Sequence, residues 1–160
     1  MVHPVMPVSL KSLLPALSDA LGDDPGALYE RQRALVRVGL LEFAPGKGPG
    51  SGVRATPESV AVLVISRLAS VNWAEAPTRA REIVTAQASS GRCSLTGATN
   101  FKDAFAAILS DERLAARVIE IRVTTSHGEA EIIYGKAQKA TRTTKRSNYN
   151  IAITNDPNTF

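Results

Sequence analysis

The chain has 160 residues, 44 % of them hydrophobic and 21 % charged, with a formal net charge of +4 and a pI near 9.5. That length suits one compact domain with an appended piece, or two small ones, and the composition excludes bulk disorder and fibrous repeats. A single cysteine, Cys93, leaves no intrachain disulfide, and with His3 and His127 as the only histidines a Cys/His zinc site is not expected.

No basic segment followed by an apolar run opens the chain, so no signal peptide is read there. The most apolar stretch, Val60 to Ile65, is far short of the roughly 20 residues of a membrane span, which makes the cytoplasm the expected address. Basic and acidic residues nearly balance as far as residue 135. Beyond it Lys136, Lys139, Arg142, Lys145 and Arg146 face only Asp156. A mild basic bias is compatible with a polyanionic partner.

Met1 to Pro7 holds two prolines and no period, and reads as a loose arm. Leu13, Leu14, Leu17 and Leu21 recur at helical spacing. Taking Ser12 as the N-cap keeps Pro15 in the first turn, where proline is tolerated, and Gly22 ends this first helix. Asp24-Pro25 starts a second helix, with the acid as cap and proline at the first position. It runs through Ala27, Leu28, Ala34, Leu35 and Val38 and stops at Gly39. Two amphipathic helices joined by about three residues predict a helix-turn-helix.

A strand-like run from Leu40 to Ala44 follows, then a glycine-rich turn from Pro45 to Gly52, then a returning strand at Val53 to Ala55, together a β-hairpin. Thr56-Pro57-Glu58 is a third helix start. This helix, to about Ser70, is apolar almost all round and is expected as a central spine, touching the helix-turn-helix on one side and another helix or subunit on the other. A fourth helix is expected from Ala76 to Gln87. The Ser-, Gly- and Thr-rich stretch from Ala88 to Thr99 is the best candidate boundary. Asn100 caps a fifth helix with Phe101, Phe105, Ile108 and Leu109 along its seam, and Ser110 is a candidate cap for one further turn.

Alternation places Ile119, Ile121 and Val123 on one face of a strand spanning Val118 to Val123, with a turn at Ser126-His127-Gly128 and a return at Ala130 to Tyr134. Tyr149, Ile151 and Ile153 suggest a third strand. The expected class is therefore α+β: a mainly helical helix-turn-helix with a hairpin over residues 10–90, then a small helix-plus-antiparallel-hairpin module over residues 100–155.

At 100° per residue, Ala27, Leu28, Ala34, Leu35 and Val38 form the buried face of the second helix, and Tyr29, Gln32, Arg33, Val36 and Arg37 point away. Arginine can donate two hydrogen bonds to a guanine edge and glutamine can pair with adenine, so this face has recognition chemistry. The plain alternative is a solvated polar face. Arg31 is out of place, falling within the apolar arc. In the glycine-rich hairpin tip, Lys47, Ser51 and Arg54 offer charge and close backbone approach to phosphate. A nucleotide-binding P-loop is excluded, because its lysine pattern is missing and Pro49 removes a needed amide. In the basic tail, Lys139, Arg142, Lys145 and Arg146 are either phosphate contacts or an exposed arm.

The run Leu28-Tyr29-Glu30-Arg31, then Val38-Gly39-Leu40-Leu41, then a glycine-rich wing ending near Arg54 and Thr56, resembles winged helix-turn-helix DNA-binding proteins of the MerR-like type. Phage-related regulators carry similar modules. The resemblance covers roughly residues 10–70. It implies a recognition helix in the major groove and a wing on the backbone. The chain differs in having about four extra residues between Tyr-Glu-Arg and Gly-Leu-Leu, and no long dimerisation coiled coil.

The expectation is a transcriptional regulator that binds duplex DNA as a homodimer, with transcription machinery as a possible protein partner. The third helix, or a strand edge near Tyr134 or Tyr149, would serve as the dimer surface. No enzyme activity, cofactor or metal is expected: Cys93 and His127 lack a supporting motif, and the acids form no pattern. Trp73 reads as a packing anchor between the two modules. Two other roles fit the same pattern. One is a phage-type packaging or replication adaptor resembling small terminases; the other is a protein-binding winged helix without DNA binding.

Overall fold

A computed structural model describes residues 8–48, 51–126, 128–135 and 145–150. The fold is α+β, with helices in the first two thirds and a four-stranded antiparallel sheet completed at the end. The expected turn residue His127, the tail residues Lys139 and Arg142, and the positions Ile151 and Ile153 lie outside the described residues.

Helix α1 spans Leu10–Leu21 and starts earlier than the sequence suggests, because Ser9 rather than Ser12 is the cap: its side chain accepts from the Ser12 amide. Pro15 therefore sits in the second turn, on an exposed face where water can serve the carbonyl that loses its amide partner. Gly22, in the left-handed region at φ +62°, closes the helix, and the Asp23 amide returns to the Ser18 carbonyl at 3.1 Å. Helix α2, Pro25–Arg37, has the expected Asp24 cap and first-position proline. Its end is a Schellman motif. Gly39 at φ +75° donates to the Val36 carbonyl at 3.0 Å, and Leu40 donates to that of Leu35 at 2.9 Å.

That motif consumes the Leu40 and Leu41 amides, both of which point to Leu35, so Leu40 to Phe43 cannot be the first strand of a hairpin. Among the described residues only Ala44 and Gly52 pair across the glycine-rich loop. The returning segment pairs instead with residues before α1: Leu10 donates to Val53 at 2.7 Å and Ala55 to Val8 at 2.8 Å. The loop is thus anchored to the start of α1 rather than to a two-stranded ribbon.

Helix α3, Pro57–Ala69, carries a full capping box between Thr56 and Ser59. Residues Ala61 to Ser66 are all buried, and the helix packs against α2, against α4 (Ala76–Val84), against α5 (Phe101–Ser110) and against β2 (Val118–Thr124). It is the spine of the molecule. Most of its apolar girth is covered within one chain, with Leu68 left 38 % exposed, so it offers little of the dimer surface the sequence suggested.

Helix α4 stops at Val84 because the next residues turn into the sheet: Ala86 accepts from Phe101, Ala88 donates to Thr99, and β1 (Gln87–Ala88) pairs with β4 (Lys145–Asn150). The expected boundary segment therefore lies against the core, with Ala88, Cys93 and Leu95 buried. One continuous cluster of buried side chains runs from Leu10 to Tyr149. A single turn, α6 (Glu112–Ala115), follows α5, capped by Asp111 rather than Ser110.

The strand order is β1-β4-β3-β2, with β3 at Glu129–Tyr134. Tyr134 and Tyr149 lie on the inner strands β3 and β4, both buried, so neither marks a sheet edge. A bulge between Val118 and Glu120 turns Ile119 out of the apolar row, leaving it 65 % exposed while Ile121 and Val123 still pack on the core. Trp73 is half exposed in the α3–α4 connection.

Candidate nucleic-acid interface

Helix α2 is wedged against α1, α3 and α4, so its buried arc is wider than its apolar residues suggest. Arg31 and Gln32 both fall within that arc. Arg31 does not reach an edge. Its guanidinium donates to the Ser66 carbonyl at 2.8 Å and to the Val71 carbonyl at 3.1 Å, tying α2 to the end of α3 and the loop beyond. Burial lowers its pKa, as does the positive Arg67 nearby, while Asp23 opposes the shift. Asp23 in turn holds Arg67 at 2.5 Å in a half-buried ion pair.

Gln32 is 6 % exposed, and its Oε1 has no hydrogen-bond partner among the described residues. It was expected to project outward and read adenine. Packed under neighbouring elements, it presents nothing to a groove.

The remaining stripe is solvent-facing. Tyr29, Arg33 and Arg37 follow one another at one-turn spacing, Tyr29 half-buried and both arginines exposed. At 1.5 Å per residue the stripe is about 12 Å long. Arg33 is held at 3.0 Å by Glu30 one turn before it, an exposed pair of the kind that contributes little and exchanges readily. Lys11 of α1 places its ammonium 4.9 Å from the centre of the Tyr29 ring, adding a cation beside the stripe. The leucine spacing that marks α1 carries no signal for Lys11, which lies exposed on the polar side of the helix. Arg81 of α4 donates to the Val38 carbonyl at 3.0 Å, tying α4 to the end of α2.

Lys47 and Arg54 are exposed on the two limbs of the glycine-rich loop. The Ser51 hydroxyl instead turns into the loop and donates to the Gly48 carbonyl at 2.7 Å, so it braces the loop rather than facing outward. Between this loop and the start of α3 lies a groove of about 520 Å³, lined among others by Phe43, Arg54, Glu58, Ser59 and Lys102. Lys102 comes from α5, far along the sequence, so no local signal placed it there. Lys145 and Arg146 belong to strand β4, inside the sheet, not to a free arm.

The other chemically notable residues sit elsewhere. Cys93 is buried with its Sγ 3.5 Å from the Ser147 Oγ. Burial pushes its thiol pKa up, but the polar contacts with Ser147 and Thr96 and the nearby Tyr149 hydroxyl outweigh this and leave it lowered. The Tyr149 hydroxyl lies close enough to influence Cys93, yet makes no hydrogen bond of good geometry among the described residues. No group of three or more His, Cys, Asp or Glu among the described residues is placed to hold a metal ion. No described helix is long and apolar enough to cross a membrane.

Set against models of known protein families, characterised proteins and solved structures, the chain matches none. The functional reading therefore rests on the geometry of α1, α2 and the glycine-rich loop.

Proposed function

We propose that the N-terminal half is a helix-turn-helix that binds duplex DNA, with the glycine-rich loop in the place of a wing, and that the protein is a sequence-specific transcriptional regulator. One observation carries the reading. A three-residue turn joins α1 to α2, α2 is locked on three sides by α1, α3 and α4, and its one open stripe carries Arg33 and Arg37 a single turn apart. A rigid helix that presents two arginines outward suits insertion into the major groove, where each can donate two hydrogen bonds to guanine.

In this reading Arg33 leaves Glu30 for a base edge, Arg37 contacts the next base or phosphate, and Tyr29 packs against the backbone. Lys47 and Arg54 neutralise phosphates beside the groove, and Lys11 adds a further charge. Base recognition falls to the arginines, since Gln32 is buried.

Selection of bound duplexes from a random pool tests the proposal. A recurrent guanine-containing motif is expected. The Arg33→Ala/Arg37→Ala double variant should keep its circular dichroism spectrum and lose that motif, each well-made contact being worth about 1–3 kcal/mol. Enrichment of the same motif by the variant would remove α2 from the readout. No enrichment by the unaltered protein would sink DNA recognition itself.

A further inference from the structure

The sheet has one long edge strand. β2 is seven residues long and ends the order β1-β4-β3-β2, and no described strand pairs with its outer side. Such an edge presents a row of backbone donors and acceptors that can template another strand. The bulge at Ile119 confines the regular ladder to Glu120 through Thr124. Within it, Ile121 and Val123 face the core, while Glu120 and Arg122 stand exposed on the opposite face. There Arg122 holds Glu120 at 3.0 Å and Glu131 of β3 at 3.4 Å.

The charges on this edge are complementary to themselves. If a second β2 lies antiparallel against the first, related by a two-fold axis through Ile121, residue numbers in each opposed pair sum to 242. Glu120 of one copy then opposes Arg122 of the other, twice over, and Ile121 meets Ile121. Opposite charges directly across an antiparallel pair stabilise it, and like charges there destabilise it. The exposed Ile119, in the bulge just outside the regular ladder, lies at each end of this seam. A contact of this type is isologous and closes at two copies.

The geometry points to a homodimer made by pairing β2 with β2, giving one continuous eight-stranded sheet. It does not depend on DNA binding, since β2 lies apart in sequence from α1, α2 and the glycine-rich loop.

Charge exchange tests it, with sedimentation velocity over a range of protein concentrations as the readout. The unaltered chain should dimerise. Arg122→Glu opposes Glu120 with glutamate at both symmetry-related contacts, and Glu120→Arg opposes arginine with arginine. Each should raise the dimer Kd by about tenfold or more, while the circular dichroism spectrum stays unchanged. Mixing these two variants should restore dimers, because every opposed pair is then again of opposite sign. The double variant Glu120→Arg/Arg122→Glu should dimerise alone. A monomer at all concentrations would overturn the proposal and leave the bulge and the charges as guards against edge pairing. Single variants that associate like the parent, a mixture that stays monomeric, or a ring of higher order would overturn it as well.

Discussion

Arg31 shows how one side chain can matter for the site without facing it. Its two hydrogen bonds to the carbonyls of Ser66 and Val71 fix α2 against the end of α3, which sets the direction in which Arg33 and Arg37 point. Replacing Arg31 with alanine strips a charged donor from the buried Ser66 carbonyl and from the more open Val71 carbonyl. We expect a loss of about 2–4 kcal/mol in urea unfolding. A loss below about 1 kcal/mol would mean that the two bonds are dispensable. Tyr149 offers the opposite case. Its ring packs edge-on against Phe101 at 5.1 Å, but its hydroxyl is unpartnered among the described residues. Tyr149→Phe should therefore change stability at pH 7 by no more than about 1 kcal/mol. Burial first, then the neighbouring Cys93, raises the Tyr149 pKa well above its usual 10.0. In unfolded chains this phenol ionises near pH 10, while the folded protein retains the proton. Its contribution is thus complete below pH 10 and falls away as the pH climbs towards the folded value. Unfolding followed from pH 9 to 11 should show the parent losing stability faster than Tyr149→Phe. Parallel losses would contradict the assignment.

Among the elements, those whose signals are local could be read from the sequence. Asp24-Pro25, Thr56-Pro57 and Asn100 each start a helix where their caps and prolines say they should. The left-handed glycine at 39 ends α2 as expected. Gly39→Ala keeps the space but forces a Cβ into that conformation, and should cost about 1–2 kcal/mol in thermal or urea unfolding. An unchanged midpoint would show that the end of α2 can rewind. What could not be read depends on distant partners. Val53 to Ala55 pairs with Val8 to Leu10 and not with the adjacent leucines, whose amides are spent on Leu35. β1 has two residues and takes its partners from β4 and from Thr99 and Asn100. On α2, the helical wheel found Arg33 and Arg37 on the open side and misplaced Gln32, because three neighbouring helices widen the covered arc beyond the apolar residues. Arg31 carried the warning: a cation falling within an apolar arc marks a helix covered on more sides than one.

At the scale of the whole molecule, α3 unites what composition suggested were two modules. It contacts α2, α4, α5 and the edge strand of the sheet, and one buried cluster extends from Leu10 to Tyr149. The basic excess of the sequence is concentrated in its last part, where Lys145 and Arg146 are built into β4. The cations credited here with contacting DNA are instead the few exposed ones around α2 and the glycine-rich loop: Lys11, Arg33, Arg37, Lys47 and Arg54. If they neutralise phosphates as proposed, each contact releases counterions, and affinity for duplex is expected to fall steeply as salt rises. Fluorescence anisotropy of a labelled duplex, titrated with the protein at 50 and at 200 mM salt, tests this most directly. The account predicts clear binding at the lower salt, a loss of affinity of about 10² or more at the higher, and weak binding at both by the Arg33→Ala/Arg37→Ala variant. Binding that is absent, indifferent to salt, or unchanged in the variant would contradict it.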